Sequence, residues 1–200
     1  YVLDSSPVPF MVDGSQAIVT VEKHNIAQKG MIKISKTGEV FSSAIESDGL
    51  YQPVFSVQGL PGAVYEITAT EDIYTLDGTL RYAAGAVVDT VTTDETLRYA
   101  KGEIVATIET DSTGAATTDP LYLGKFEVRE KIAPFGMVIN DEVHPVELTY
   151  AGQEIEIIET ATSFYNERQR AEISLAKVLA QDEKFGIGMH GEILSVQFGL

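Results

Sequence analysis

The stretch EKHNIAQKGMIKISK at residues 22–36 returns as SFYNERQRAEISLAK at residues 163–177. Asn25 and Asn166 stand 141 positions apart, and so do Lys36 and Lys177. Self-similarity at a fixed period means that one unit of structure is copied along the chain. A second pair of segments is similar at a nearby offset of 136: YVLDSSPVP (1–9) resembles MVINDEVHP (137–145). On this spacing residues 1–27 are the C-terminal piece of one repeat domain. Residues 29–169 are a complete domain, and residues 171–200 are the N-terminal piece of a following one. The repeat also decides an ambiguity of element type. By propensity AEISLAKVLAQDEKFG (171–186) reads as an amphipathic helix. Its alignment with MIKISK makes 172–177 a strand instead.

Strand signals occur almost everywhere else. Val, Ile, Thr and Tyr alternate with polar residues in AIVTV, MIKISK, AVYEITA, GEIVATIET, KFEVRE, HPVELTY and QEIEII. Between them lie DGSQ, LPG, LDGT, DSTG, APFG and YAGQ, all turn-forming. Many short strands with Gly- and Pro-rich turns imply an all-β sandwich. A shorter repeat sits inside it: TLRYAAGAVVDTVTTD (79–94) against TLRYAKGEIVATIETD (96–111). Each copy reads as strand, glycine turn, strand, so an inserted, duplicated hairpin is expected there.

Composition removes several function classes. A net charge of −16 repels phosphate backbones, so nucleic acid is not an expected partner. The absence of cysteine rules out disulfides and thiolate metal sites. No apolar run is long enough to cross a bilayer, so no membrane insertion is expected in this segment. There is no signal peptide, and the chain starts in mid-pattern at Tyr1, so it reads as an excerpt of something longer. His24, His144 and His190 are scattered without ligand spacing, so no metal or cofactor is expected. The acidic turns TEDIYTLDGT and TDSTG match no calcium-loop pattern and read as plain turns. No nucleophile–base set for a turnover enzyme stands out.

One strand carries a problem. In MIKISK, Ile32, Ile34 and Lys36 share a face, and Lys33 and Ser35 share the other. If the isoleucines are buried, a lysine points into the core. Two other strands carry polar residues on apolar rows: Glu130 follows Phe126 and Val128 in KFEVRE, and Asn166 follows Phe164 in SFYN. Taken singly, each has a plain explanation. Lys36 snorkels to an edge, Glu130 pairs with Arg129 or Lys131 at the surface, and Asn166 ends a strand. Taken together, the three residue types form a reaction set. A lysine in an apolar site favours its neutral, nucleophilic amine. A carboxyl so placed favours its protonated form, can polarise the asparagine carbonyl through its oxygen, and can relay protons. Attack of the amine on the asparagine carbonyl then releases ammonia and leaves an amide cross-link.

The segments MIKISKTGE, GLPGAVYEI, LYLGKFEVREKIAPFGM and TATSFYNER resemble, in order, the Cna B-type (SpaA-like, prealbumin-like) repeat domains of Gram-positive surface adhesins and pilins. The most specific element is Glu130 followed by Ala133, Pro134, Phe135 and Gly136, which resembles that family's E-x-x-A-P-x-G-aromatic motif. Met137 stands where the family has an aromatic residue, and the span from about 70 to 112 is long for it. The resemblance implies an immunoglobulin-like β-sandwich whose first and last strands are neighbours. It assigns the acid of isopeptide formation to Glu130 and the cross-linked pair to Lys36 and Asn166. Asn25 and Lys177 become half-sites of the neighbouring domains, with Lys23 at the position equivalent to Phe164. It implies a stalk module of a cell-wall-anchored, extracellular surface protein. Adjacent repeat domains of the same chain are its partners, and it has no enzymatic turnover beyond one self-catalysed bond. The competing expectation is a module that binds a host matrix protein or a glycan through the duplicated hairpin, with Tyr74, Tyr82 and Tyr99 as its aromatic face.

Overall fold

The computed structural model describes residues 1–15, 18–93 and 113–174, in which every regular element is a β-strand. The strands are β1 (Lys29–Ser47), β2 (Leu50–Gly59), β3 (Val64–Ala69), β4 (Ile73–Tyr74), β5 (Leu80–Tyr82), β6 (Val87–Thr92), β7 (Ala115–Thr117), β8 (Leu121–Tyr122), β9 (Gly124–Ile132), β10 (Val143–Leu148) and β11 (Ile157–Asn166).

β1 organises one sheet. Along one edge it pairs in parallel with β11, from Lys29 opposite Ile157 to Gly38 opposite Asn166. Its other edge is shared by three antiparallel partners in succession, β8 at Lys29–Gly30, β7 at Lys33–Ser35 and β2 from Thr37 onward. The second sheet has the order β10-β9-β3-β6 and is antiparallel throughout. β4 and β5 form a separate two-stranded ribbon.

The core lies between the two main sheets and follows period-2 alternation. Ile32 and Ile34 of β1 and Phe164 of β11 face Tyr65 and Ile67 of β3 and Phe126 and Val128 of β9, all buried. At the ordinary coefficient of about 25 cal/mol per Å² such apolar faces are what hold two sheets together.

The sequence reading and the structure part at four places, the first being QEIEII, of which residues 153–156 form no strand and only Ile157 and Ile158 belong to β11. β1 does not stop near Lys36. It runs on to Ser47 and turns through Asp48 and Gly49 into β2. Both turn residues have positive φ, 54° and 73°, as a two-residue hairpin turn requires. AIVTV forms no strand over residues 18–21, because no ladder partner flanks it among the described residues. In the first copy of the short repeat, the arms β5 and β6 flank a turn at Gly85, but they pair with β4 and β3 rather than with each other. The second copy (96–111) lies outside the described residues. So does the reading of 172–177 as a strand from residue 175 on, Lys177 included, and residues 171–174 form no regular element.

Candidate functional site: a buried lysine, glutamate and asparagine

Alternation places Lys36 after Ile32 and Ile34 on the inner face of β1, and its side chain is 0% exposed. Its backbone is held from both directions: the N–H donates to the Gly114 carbonyl (2.6 Å) and the C=O accepts from the Leu60 N–H (3.0 Å). Asn166 closes the inner row of β11 and is buried beside it. Glu130 comes from the opposite sheet, after Phe126 and Val128 on β9, and its side chain is fully covered. The pairing of β9 with β3 shifts register beside Glu130, so that Val64 faces Ile132 while Tyr65 faces Glu130. An extra residue of this kind re-aims the side chains next to it.

The three side chains meet. Lys36 Nζ lies 2.9 Å from Glu130 Oε1 and donates to Asn166 Oδ1. Asn166 Nδ2 donates to both carboxylate oxygens of Glu130, at 3.0 Å each. Glu130 therefore contacts the carboxamide through its nitrogen, where the sequence reading had placed it on the oxygen. The amide oxygen accepts from Lys36 instead.

Two further groups, not singled out from the sequence, complete the site. The backbone N–H of Asn140 donates to Glu130 Oε2 at 2.7 Å. The APFG segment delivers it: Met137 N–H closes a turn onto the Pro134 carbonyl, with Gly136 at φ 77°. The chain then returns along the end of β11, with Val138 N–H on the Glu167 carbonyl and Gln169 N–H on the Gly136 carbonyl. The second group is Tyr65, buried opposite Glu130, with its ring 4.8 Å from that of Phe164. Phe164 also stacks on His144, with ring centroids 3.9 Å apart.

Electrostatics follow from this burial. Desolvation pushes the Lys36 amine below its ordinary value of 10.5, against the opposing pull of the hydrogen bond and charge of Glu130. The sign of the resulting pH dependence is fixed. Between the lowered value and 10.5 the unfolded chain binds the extra proton, so stability rises with pH across that window. The Asn166→Ala protein, which lacks the carboxamide, should display it as a rise of up to about 1.4 kcal/mol per pH unit. Denaturant midpoints at stepped alkaline pH would measure the rise against Lys36→Met/Asn166→Ala. Parallel curves for the two proteins would show that the amine is not desolvated.

The remaining candidates fall elsewhere. Asn25 is on the exposed N-terminal segment, where its Oδ1 accepts from the Asp4 N–H at 3.3 Å. Tyr74 is exposed, Tyr82 packs edge-on to Tyr122 at 5.8 Å, and Tyr99 lies outside the described residues. In the acidic turn, Asp77 accepts from the Thr75 hydroxyl and the Thr79 N–H. No group of three potential metal-binding side chains occurs among the described residues.

Comparison with known proteins gives the family. Residues 56–161 match the SpaA prealbumin-like fold domain. The chain belongs to that family. The matched span contains Glu130, while Lys36 on β1 precedes it and Asn166 lies just past its end, on β11, which it enters. A search of the curated proteins found no match. Solved structures similar to this SpaA-family chain include the Bacillus anthracis TIE protein, at 23% identity and a TM-score of 0.34, over 70% of this chain and 17% of that one. GBS52, the minor pilin of Streptococcus agalactiae, is similar at 14% identity and 0.40, over 76% and 50%. The full-length major pilin SpaD of Corynebacterium diphtheriae is similar at 22% identity and 0.33, over 74% and 32%. The chain thus spans half or less of each of these proteins.

Proposed function

We propose that the chain is a structural module of a Gram-positive surface fibre or adhesin stalk, locked by an amide bond that it forms itself between Lys36 and Asn166. The observation that carries this reading is the position of Glu130. One carboxylate touches both the attacking amine and the nitrogen that must leave. The neutral amine of Lys36 attacks Cγ of Asn166, so that a C–N bond forms. Glu130 takes a proton from Nζ and passes it to Nδ2, the Cγ–Nδ2 bond breaks, and ammonia departs. Glu130 ends as it began, and no outside reactant is needed. Burial favours the neutral amine, and the fixed contacts replace the entropy cost of bringing amine and amide together. Nothing turns over, because the nucleophile is consumed.

The bond would answer the difficulty of a core lysine, since an amide carries no charge to desolvate. Its placement suits a chain under tension. β1 and β11 run parallel, so force entering at Lys29 and leaving past Asn166 would cross directly from one strand to the other. Residues 37–165 would then bear none of it. In this reading 1–27 and 171–200 belong to adjacent repeats of the same chain, Asn25 and Lys177 are their half-sites, and the whole stands on the outside of the cell, attached to the wall.

Intact mass spectrometry tests the proposal. The purified chain should be lighter than its sequence by one ammonia, and a digest should contain a branched peptide joining the segments around Lys36 and Asn166. A folded chain of full mass would sink the bond.

A further inference from the structure

We propose that the Tyr65 hydroxyl is a positioning group of this same site, taking up a hydrogen bond to Glu130 as the carboxamide nitrogen departs. The inference rests on the Lys36–Asn166 reading. Tyr65 is 0% exposed, and its hydroxyl has no hydrogen-bond partner among the described residues. A buried polar atom without a partner is costly, and chains seldom keep one idle. This one is directed by two constraints. Tyr65 stands opposite Glu130 in the β3–β9 pairing, and its ring packs on Phe164, two residues before Asn166 on β11.

Before reaction Glu130 has little to offer it. Oε1 is engaged by Lys36 and Asn166, and Oε2 by Asn140 and Asn166. The reaction changes that count. When the Cγ–Nδ2 bond breaks and the nitrogen leaves as ammonia, both Nδ2 contacts vanish together, and Lys36 becomes an uncharged amide with one N–H. Glu130 is then left with the Asn140 N–H and that new amide. Tyr65 carries the nearby donor not already in use. Burial first, then the charge of Glu130 and a hydrogen-bonding interaction with its carboxylate, push the phenol far above its ordinary value of 10.0, so it keeps its proton throughout. The hydroxyl is thus already within reach of Glu130 without hydrogen-bond geometry, and a bond that tightens only as the leaving group departs lowers the barrier rather than merely stabilising the fold.

The test compares the wild type with Tyr65→Phe, which keeps the ring and its packing on Phe164. Each full-length chain is collected unfolded in denaturant, diluted into neutral buffer, and quenched at intervals for intact mass. The wild type should lose one ammonia, and Tyr65→Phe should lose it about tenfold more slowly, the worth of one hydrogen bond in the transition state. A second measurement separates positioning from structure. Folding of the same diluted samples, followed by far-ultraviolet circular dichroism, should proceed alike in the two chains. Equal linking rates in Tyr65→Phe and a linking wild type would overturn the role of Tyr65 alone. Folding slowed in step with linking would also overturn it, by showing that the hydroxyl is structural. A wild type that keeps its full mass would overturn the bond, and this inference with it.

Discussion

Replacing Glu130 by alanine should leave a folded chain that keeps its full mass and melts roughly 10–20 °C below the wild type. Two losses combine. Without Glu130 no group touches both Nζ and Nδ2, so the proton has no route from amine to leaving group and the bond does not form. By analogy with a disulfide, closing a loop of the size of 37–165 stabilises by about 5 kcal/mol. The second loss is electrostatic. Lys36 is wholly buried and its only ion-pair partner among the described residues is Glu130. Removing one member of a buried pair costs about 3–5 kcal/mol when the other keeps its charge. The two losses do not simply add, because Lys36 can shed its proton. Glu130→Gln separates them. Its amide retains shape and some hydrogen bonding but cannot accept the proton, so it too should stay unlinked. It should also melt above Glu130→Ala. The same mass measurement decides the role of the carboxylate: loss of ammonia from Glu130→Ala would strip it of the proton relay.

What could be read from the sequence, and what could not, divides along physical lines. Period-2 alternation is a local property. It assigns Lys36, Glu130 and Asn166 to inner faces from their own neighbours alone, and the structure puts each of them on a buried row. Pairing partners are not local. The first copy of the short repeat has its strands and its turn, yet β5 joins β4 and β6 joins β3, because ladders follow the sheets rather than the turn. The β1–β2 hairpin carried a usable signal in Asp48-Gly49 between apolar alternations. Tyr65 looked like any core aromatic, since nothing in AVYEITA says that its hydroxyl would lack a partner. Asn140 acts through its backbone N–H, which no side-chain pattern marks. The orientation of the Asn166 amide was equally hidden. It depends on which neighbour donates and which accepts, and that is settled only when three strands from two sheets come together.

Gly114→Ala should be the most damaging single change outside the trio, although residue 114 contributes no side chain. Gly114 has φ +69°, and a Cβ built on it would lie 2.0 Å from the Lys36 carbonyl oxygen, 2.7 Å from Leu60 N and 2.9 Å from Gly59 Cα. All three neighbours are backbone, so none can swing aside. Gly59 repeats the constraint from the other side, where a Cβ would meet the Thr113 carbonyl oxygen at 2.3 Å. Room for alanine requires separating Gly114 from Lys36 and from the Gly59–Leu60 backbone, which disturbs the Lys36 N–H bond to the Gly114 carbonyl and the Leu60 N–H bond to the Lys36 carbonyl. Strain in the left-handed region contributes about 1–3 kcal/mol, and overpacking against backbone about 1–3 more. Gly78 and Gly85 serve as controls, with φ +80° and +79° and nothing within 4 Å of an added Cβ. Alanine at either should incur the conformational strain alone. Linking should suffer more than stability, because misplacing a reacting group by about 1 Å costs on the order of a hundredfold in rate. The expected result for Gly114→Ala is a lower melting temperature than either control and a chain that is mostly full mass after purification. If it melts and links like Gly85→Ala, the close approach of Gly114 is not what holds Lys36 against Asn166.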